Sequence, residues 1–337
     1  MINPISSPEI SHYPVMLNEV TKICSPNSGG TFIDCTFGGG GYSKKILKFN
    51  NTKVLAFDRD KFILKISKQL EKKYPKRFFF YQKKFSQINT VIKDKSAEAV
   101  IFDLGLSNIQ IKNLDRGFSF NSKSSLDMSM GLSAISAEEI VNKFSEKQLK
   151  LIIKILGEEK DASRIAKNIV QTRSISRIVR VDQLVAIIKR SKKRIYNTKI
   201  NPSTKTFQAL RIFVNKEITE LINGIVNATK VLKPGGKILV ISFHSIEDKI
   251  VKYFFSNFSS NKSHPSRYMP YNNSPKSFLF CKYKNKILKP TAEEIKINPP
   301  SRSAKLRYAV RSKNNFFYPS DLIKKFQKYL DLENTHV

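Results

Sequence analysis

The stretch Gly30-Thr31-Phe32-Ile33-Asp34-Cys35-Thr36-Phe37-Gly38-Gly39-Gly40-Gly41-Tyr42-Ser43-Lys44-Lys45-Ile46-Leu47-Lys48-Phe49 decides how the rest of the chain is read. From Thr31 to Thr36, β-branched and aromatic residues suit a half-buried strand. Four consecutive glycines follow, and then Ser43 opens a segment with Ile46 and Leu47 on one side. The order is strand, tight glycine turn, helix. Such a turn lets backbone N–H groups approach a ligand at a helix N-terminus that favours negative charge. A second short strand, residues 54–57, ends at Asp58, twenty residues after Gly38. A carboxylate at that distance can accept hydrogen bonds from both hydroxyls of a ribose. The chain therefore opens with a nucleoside-cofactor half-site.

The dinucleotide fingerprint G-x-G-x-x-G is only partly met, because Ser43 stands where its last glycine belongs, and the P-loop pattern is absent. Asp34 on a strand just before a G-x-G-G turn is more similar to the S-adenosylmethionine pocket of class I methyltransferases. The bland alternative is a glycine run that serves only as a flexible turn.

At 337 residues the chain is long enough for two domains, or for one with a large insertion. Sixty Lys and Arg against 27 Asp and Glu give a net charge of +33, which favours a polyanionic partner unless lysines simply cover every solvated face. Cys24, Cys35 and Cys281 with His12, His244, His264 and His336 show neither metal-ligand spacing nor a disulfide framework. With no signal-peptide pattern and no membrane-length apolar run, the expectation is a soluble cytoplasmic protein.

His12 precedes a short helix at 18–24. Beyond Asp58, a helix at 61–74 carries Phe62, Ile66 and Leu70 at intervals of four and stops at Pro75. A third strand at 77–82 leads to Phe85, which either closes the core or lies against an adenine face. A fourth strand at 97–102 delivers Asp103 and Gly105 at its carboxyl end, where open α/β sheets bind ligands. Gln110 follows, then a loop with Arg116, Phe118 and Phe120 that runs on to Asp127. Arginine and aromatics there can clamp and stack an unpaired base, or the rings can plug the core under a lid. From about 133 to 200 the β/α rhythm stops. Ser136-x-x-Glu139 and Ser145-x-x-Gln148 read as capping boxes. Helices are predicted at 138–144, 146–156, 158–172 and 182–191, with Gly157 as a C-terminal cap. Arg173, Arg177, Arg180 and the string at 189–194 gather positive charge that meets RNA phosphate or forms a solvated face. One long helix is predicted from Asn201-Pro202-Ser203-Thr204 to about 230, with Phe207, Leu210, Val214, Ile218, Leu221 and Ile225 facing the core. A fifth strand at 237–242 ends in Phe243-His244-Ser245. Residues 256–277 read as loop, residues 303–311 as the last strand, and the tail as helical and basic. The expected division is 1–110 and 201–337 as two parts of one domain, with loop and helical insertion at 111–200.

Several motifs in one order closely resemble the RsmH (MraW) methyltransferases over nearly the whole chain: His12-x-Pro14-Val15, Thr36-Phe37-Gly38-x-Gly40-Gly41, Asp103-Leu104-Gly105, Arg116-Gly117-Phe118-Ser119-Phe120, Leu126-Asp127-Met128, Phe207-Gln208-Ala209-Leu210-Arg211, Ile241-Ser242-Phe243-His244-Ser245 and Arg302-Ser303-Ala304-Lys305-Leu306-Arg307. The resemblance implies an α/β fold, a class I (Rossmann-like) S-adenosylmethionine-dependent methyltransferase with an all-α inserted domain. It implies methyl transfer to the exocyclic 4-amino group of a cytidine in the decoding centre of 16S ribosomal RNA, within the small ribosomal subunit; by family likeness this is cytidine 1402. Cofactor contacts carry over to Gly40, Gly41, Tyr42, Asp58, Phe85, Asp103 and Gln110. Asp103 is assigned as catalytic acceptor for the amine hydrogens, with His244 as a second catalytic candidate, either supporting from behind or accepting a proton. Arg116, Phe118, Phe120, Asp127, Lys205 and Arg211 are assigned to the RNA. No metal is expected, and homodimerisation stays open. The chain departs from the family pattern at Tyr42 (usually histidine), Asn108 (serine), and Ser129 and Lys205 (arginine). Asn298-Pro299-Pro300-Ser301 resembles the [D/N]-P-P-[Y/F] tetrad of amino-group methyltransferases, but it lies far from the fourth strand and ends in serine. Two other classes remain: a non-catalytic ribosome-assembly factor that binds RNA, and a methyltransferase for protein or a small molecule.

Overall fold

The computed structural model describes residues 14–193, 201–260 and 277–335, the side chain of Asn108 excepted. His12 and the arm before it, Arg194, most of the 256–277 loop, His264 and His336 lie outside the described residues. Strands β1 (Gly30–Asp34), β2 (Thr52–Phe57), β3 (Phe78–Tyr81), β4 (Ala97–Asp103), β5 (Leu232–Ser242), β6 (Phe280–Tyr283) and β7 (Lys305–Arg311) form one sheet in the order β3-β2-β1-β4-β5-β7-β6. The first five pair in parallel, and β7 runs antiparallel to both β5 and β6. The strand order reverses between β1 and β4, which makes their carboxyl ends, Asp34 and Asp103, the switch point where such sheets take ligands.

Both faces of the sheet are covered, so its central strands are apolar throughout rather than alternating. Alternate residues still point to opposite sides. Phe32, Val54, Ile101 and Leu239 pack with α1 (Leu17–Cys24), α2 (Gly41–Ile46) and α3 (Leu64–Lys73). Ile33, Leu55, Val100 and Val240 face the other core. Between β4 and β5 run α4 (Asn108–Lys112), α5 (Ala137–Lys143), α6 (Glu146–Leu156), α7 (Ala162–Arg173), α8 (Val181–Ser191), α9 (Thr204–Asn215) and α10 (Glu217–Val231). Both expected capping boxes form, at Ser136 and Ser145. The apolar interior of α5–α8 is continuous with the core under α10. After β5 come α11 (Ser245–Asn257), α12 (Ala292–Ile297) and α13 (Ser320–Glu333).

Three expectations need correction. The long helix is two, broken at Lys216, whose φ of 49° is left-handed. The cause is Asn215, whose side chain donates to Met128 O (2.8 Å) and Arg211 O (2.9 Å) and accepts from Met130 N (2.9 Å) and Ser133 Oγ (2.7 Å). The core stripe from Phe207 to Ile225 stays buried across the break. Gly157 is the C-cap of α6 as expected, with right-handed backbone angles; a Cβ there would lie 2.4 Å from Lys205 O, so this glycine lets α6 approach α9. The left-handed residue is Glu158, and α7 starts only at Ala162. Phe62 is 52% exposed, because Asp60 caps a 3₁₀ turn at Lys61–Ile63 and turns Ile63 inward instead. Four elements had no sequence reading: α4, α11, the four-residue edge strand β6, and α12, capped by Thr291.

Candidate active site

A cavity of about 140 Å³ lies at the carboxyl ends of β1, β2 and β4. Thr36, Gly38, Asp58, Phe85, Asp103 and Gln110 line it. Asp58 fastens the glycine turn, accepting from Gly38 N and from Asp60 N, each at 2.9 Å. Gly40 and Gly41 are outside the lining. A Cβ at Gly40, where φ is 73°, would meet the Phe37 ring at 2.8 Å, and one at Gly41 would meet Pro14 at 2.5 Å. Here the glycines let neighbours close in behind the cavity. Asp34, fully buried, accepts from Ser43 Oγ at 2.6 Å and ties β1 to α2; burial pushes its carboxyl up to about 6.

Asp103 is the most exceptional group. Its Oδ2 accepts from Tyr42 Oη at 3.1 Å, while Oδ1 is buried with no hydrogen-bond partner. The same tyrosine hydroxyl donates to Val15 O at 2.5 Å, so one hydrogen serves two acceptors. Burial pushes the Asp103 carboxyl up to about 8; the Tyr42 hydroxyl opposes this, and the charges of Asp34, Glu247 and Glu294 add to it. Burial also raises Asp58. Carboxylates that ionise only reluctantly round one cavity suit a ligand that brings positive charge. The residues thus fit S-adenosylmethionine, which carries a sulfonium and an ammonium.

The loop after β4 is built on a buried ion pair. Arg116 Nη1 meets Asp60 Oδ2 at 2.5 Å, and Nη2 donates to Ser129 O at 2.8 Å. Gln110 Nε2 donates to the same Asp60 oxygen at 2.8 Å, and its Oε1 accepts from Ser107 N at 2.9 Å. Arg116 lies over Phe62 and Phe118, 4.7 and 5.2 Å from the ring centres. At 6% exposure this guanidinium is engaged inside the protein, where the sequence reading had it facing RNA. Phe118 is buried in the core, and half-buried Phe120 sits edge-on to Phe207 at 6.4 Å. Asp127 accepts from Ser129 Oγ (2.9 Å), and exposed Lys205 donates to Glu158 O (3.0 Å).

Arg211 reaches Glu217 with two parallel contacts of 2.8 Å. Glu217 and Glu247 both line the cavity. His244 Nε2 is 3.1 Å from Glu247 Oε1, the ring is 7% exposed, and neither ring nitrogen has a hydrogen-bond partner of good geometry. Burial raises Glu247, but His244, Arg211 and the Phe243 N–H outweigh it and hold the carboxyl below its usual range. Glu217, His244 and Glu247 bring possible ligand atoms within 4.8 Å of one another, but the Arg211 guanidinium already supplies the positive charge there.

Sequence reasoning gave no role in the site to several cavity-lining residues, among them Asp60, Glu217, Glu247, Phe243, Asn298 and Pro300. The Asn-Pro-Pro signal was visible and was discounted for its position in the chain. Because β7 is antiparallel to β5, Lys305 pairs with Ser242, and the residues just before β7 return to the ligand-binding end. Glu294 Oε1 then accepts from Met16 N at 2.7 Å and pins α12 beside the start of α1.

A family model described as the MraW methylase family matches residues 9–312. The chain is 42% identical over 301 residues to a Rickettsia africae protein named ribosomal RNA small subunit methyltransferase H, covering 89% of this chain and 97% of that one. It is equally identical over 301 residues to one of the same name from Ehrlichia ruminantium, covering 88% and 98%. Among solved structures, an rRNA methylase from Streptococcus thermophilus aligns over 87% of this chain and 96% of its own with a TM-score of 0.39 and 10% identity. A SAM-dependent O-methyltransferase from Thermotoga maritima aligns over 93% and 69% with a TM-score of 0.38 and 10% identity.

Proposed function

We propose that this chain, which belongs to the MraW methylase family, methylates the exocyclic 4-amino group of a cytidine in 16S ribosomal RNA of the small subunit. It is an S-adenosylmethionine-dependent methyltransferase; the proposal adds the acceptor and the residues that serve it. The observation that carries it is the bare, buried Oδ1 of Asp103 at the switch point of the sheet.

When bound, S-adenosylmethionine would supply an electrophilic methyl group on sulfur, and cleavage of its sulfur–methyl bond would leave a neutral thioether. Asp58, at the tip of β2, is positioned to accept from ribose hydroxyls, and Phe85, held edge-on to Phe102 at 5.3 Å, offers a face to an adenine. A cytosine amine is conjugated and weakly nucleophilic, so alignment carries much of the rate. Asp103 Oδ1 orients the amine hydrogens and takes the proton released as the nitrogen–carbon bond forms. Phe243, whose ring would lie 3.4 Å from a Cβ on Gly105, and the Asn298–Pro300 wall form the base side of the pocket. His244, set against Glu247, positions Phe243 rather than touching the cavity itself. Arg211 holds Glu217 in the wall, and the helical unit at 111–200, with Phe120, Asp127 and Lys205 facing its junction, frames the acceptor side.

An intact Asp58 and Asp103 pair supports catalysis over a purely scaffolding role, and the surplus of positive charge supports RNA over a small molecule. The test is nucleoside mass spectrometry of small-subunit ribosomal RNA from cells with and without the gene. N4-methylated cytidine should vanish in the deletion and return with the wild-type chain but not with Asp103→Asn. Label transfer to protein, with the RNA unchanged, would overturn the reading.

A further inference from the structure

Helix α11 leaves the active site at His244, and α13 packs against it, leaving an open groove of about 630 Å³. Lys249, Lys252, Lys325 and Lys328 rim the groove, over a floor of Tyr253, Phe326 and Tyr329. On each helix these residues recur at steps of three and four, so they share one face. The floor is built: Tyr253 and Phe326 meet edge-on at 5.6 Å, and Phe326 and Tyr329 are at most 8% exposed. Lys325 lies 6.0 Å from the Tyr253 ring centre and Lys328 4.9 Å from that of Tyr329. One wall is anchored, because Glu333 at the end of α13 accepts from the N–H groups of Ile218 (2.9 Å) and Thr219 (2.8 Å) at the start of α10.

This face sets lysines beside aromatic rings. Among the described residues, Lys252, Lys325 and Lys328 form no ion pair with a carboxylate, and Lys249 meets only Glu158. Several cations of the helical insertion, by contrast, are held by internal partners. Arg177 pairs with Glu138 and Arg180 with Asp182, each at 2.9 Å, and Lys192 pairs with buried Glu159. Arg173 donates to Val141 O at 2.8 Å, and Arg190 donates to Thr172.

We propose that this groove holds single-stranded RNA flanking the target nucleotide, with phosphates on the four lysines and a base against the tyrosine rings. Ammonium groups beside aromatic faces are the combination that binds unpaired strands without reading sequence. The groove and the site are linked along α11, where Glu247 lines the cavity and Lys249, two residues on and about 3 Å of helix rise away, rims the groove. The proposal rests on ribosomal RNA being the substrate, and the experiment keeps the two apart.

Two full-length variants are compared with wild type: Lys252→Gln/Lys325→Gln/Lys328→Gln, and Tyr253→Leu. The probes are a labelled oligouridylate and small subunits lacking the modification. Loss of three phosphate contacts should lower the log–log salt slope for oligouridylate by about two, at about 0.7 per contact. Oligouridylate affinity and the reciprocal of KM for subunits should each fall about tenfold or more, with melting temperature and S-adenosylmethionine affinity unchanged. Tyr253→Leu should weaken oligouridylate binding without changing the salt slope. An unaltered slope and KM in the triple variant, with wild type active on subunits, overturns the groove and leaves the substrate reading standing. Lost subunit binding with oligouridylate binding intact also overturns it, in favour of an acidic protein surface. Wild type inactive on subunits removes the substrate reading, and the groove proposal with it.

Discussion

At Asp103 a tyrosine hydroxyl holds one carboxylate oxygen and leaves the other bare, and two roles compete for the bare one. If it serves the amine, Asp103→Asn should lower kcat by roughly a hundred- to ten-thousand-fold at saturating donor, the range for losing a general base, with a much smaller change in donor affinity. If it holds the donor's ammonium, the split reverses. The raised carboxyl adds a proton count. With its pKa near 8 in the free protein, Asp103 is largely protonated at pH 7. A cationic ligand favours the ionised form, so binding should release up to about one proton at pH 7, and affinity should rise with pH until about 8. Calorimetry in buffers of different ionisation enthalpy reads that count directly; Asp103→Asn should bring it close to zero. No proton release in wild type would mean the carboxyl is already ionised before the donor arrives.

Among the elements, the loop from β4 to α5 hangs on the Asp60–Arg116 pair. Breaking a buried pair from one side leaves the other charge stranded, so Arg116→Ala should destabilise the protein by about 3–5 kcal/mol in urea unfolding. A role in gripping RNA predicts instead a stable protein with weakened RNA binding. Local signals were legible here. The continuous apolar strands, the glycine turn, both capping boxes and the carboxylates at the strand tips could be read from spacing alone, because each depends on residues within one turn or one strand. What spacing could not reveal was long-range. Lys216 breaks a helix because Asn215 bonds to residues 128–133. Arg116 turns inward because Asp60 waits for it. Asn298 and Pro300 join the site because β7 reverses direction. None of these partners is near in sequence.

Taken as a whole, the molecule keeps several acids buried and raised: Asp34 to about 6, Glu333 to about 7 and Asp103 to about 8, each chiefly by burial. A carboxyl raised on folding contributes stability that is complete below its ordinary pKa and lost as pH climbs through the folded value. The free protein should therefore lose that share between about pH 4 and 8. For Asp103 the check is the melting temperature of Asp103→Asn minus that of wild type, expected to widen by several degrees from pH 5 to 8 and to shrink when the donor is added. A flat difference would mean that ionising Asp103 carries no cost. The cavity also draws on both halves of the chain: Val15 stands on one side, Asn298 and Pro300 on another, and the bond from Met16 to Glu294 spans 278 residues. During synthesis at about 5–20 residues per second, some 15–60 seconds separate the two sides of that bond. A nascent chain on the ribosome thus lacks a complete cavity until its translation is well advanced, and the base side closes last, when the final strand folds back.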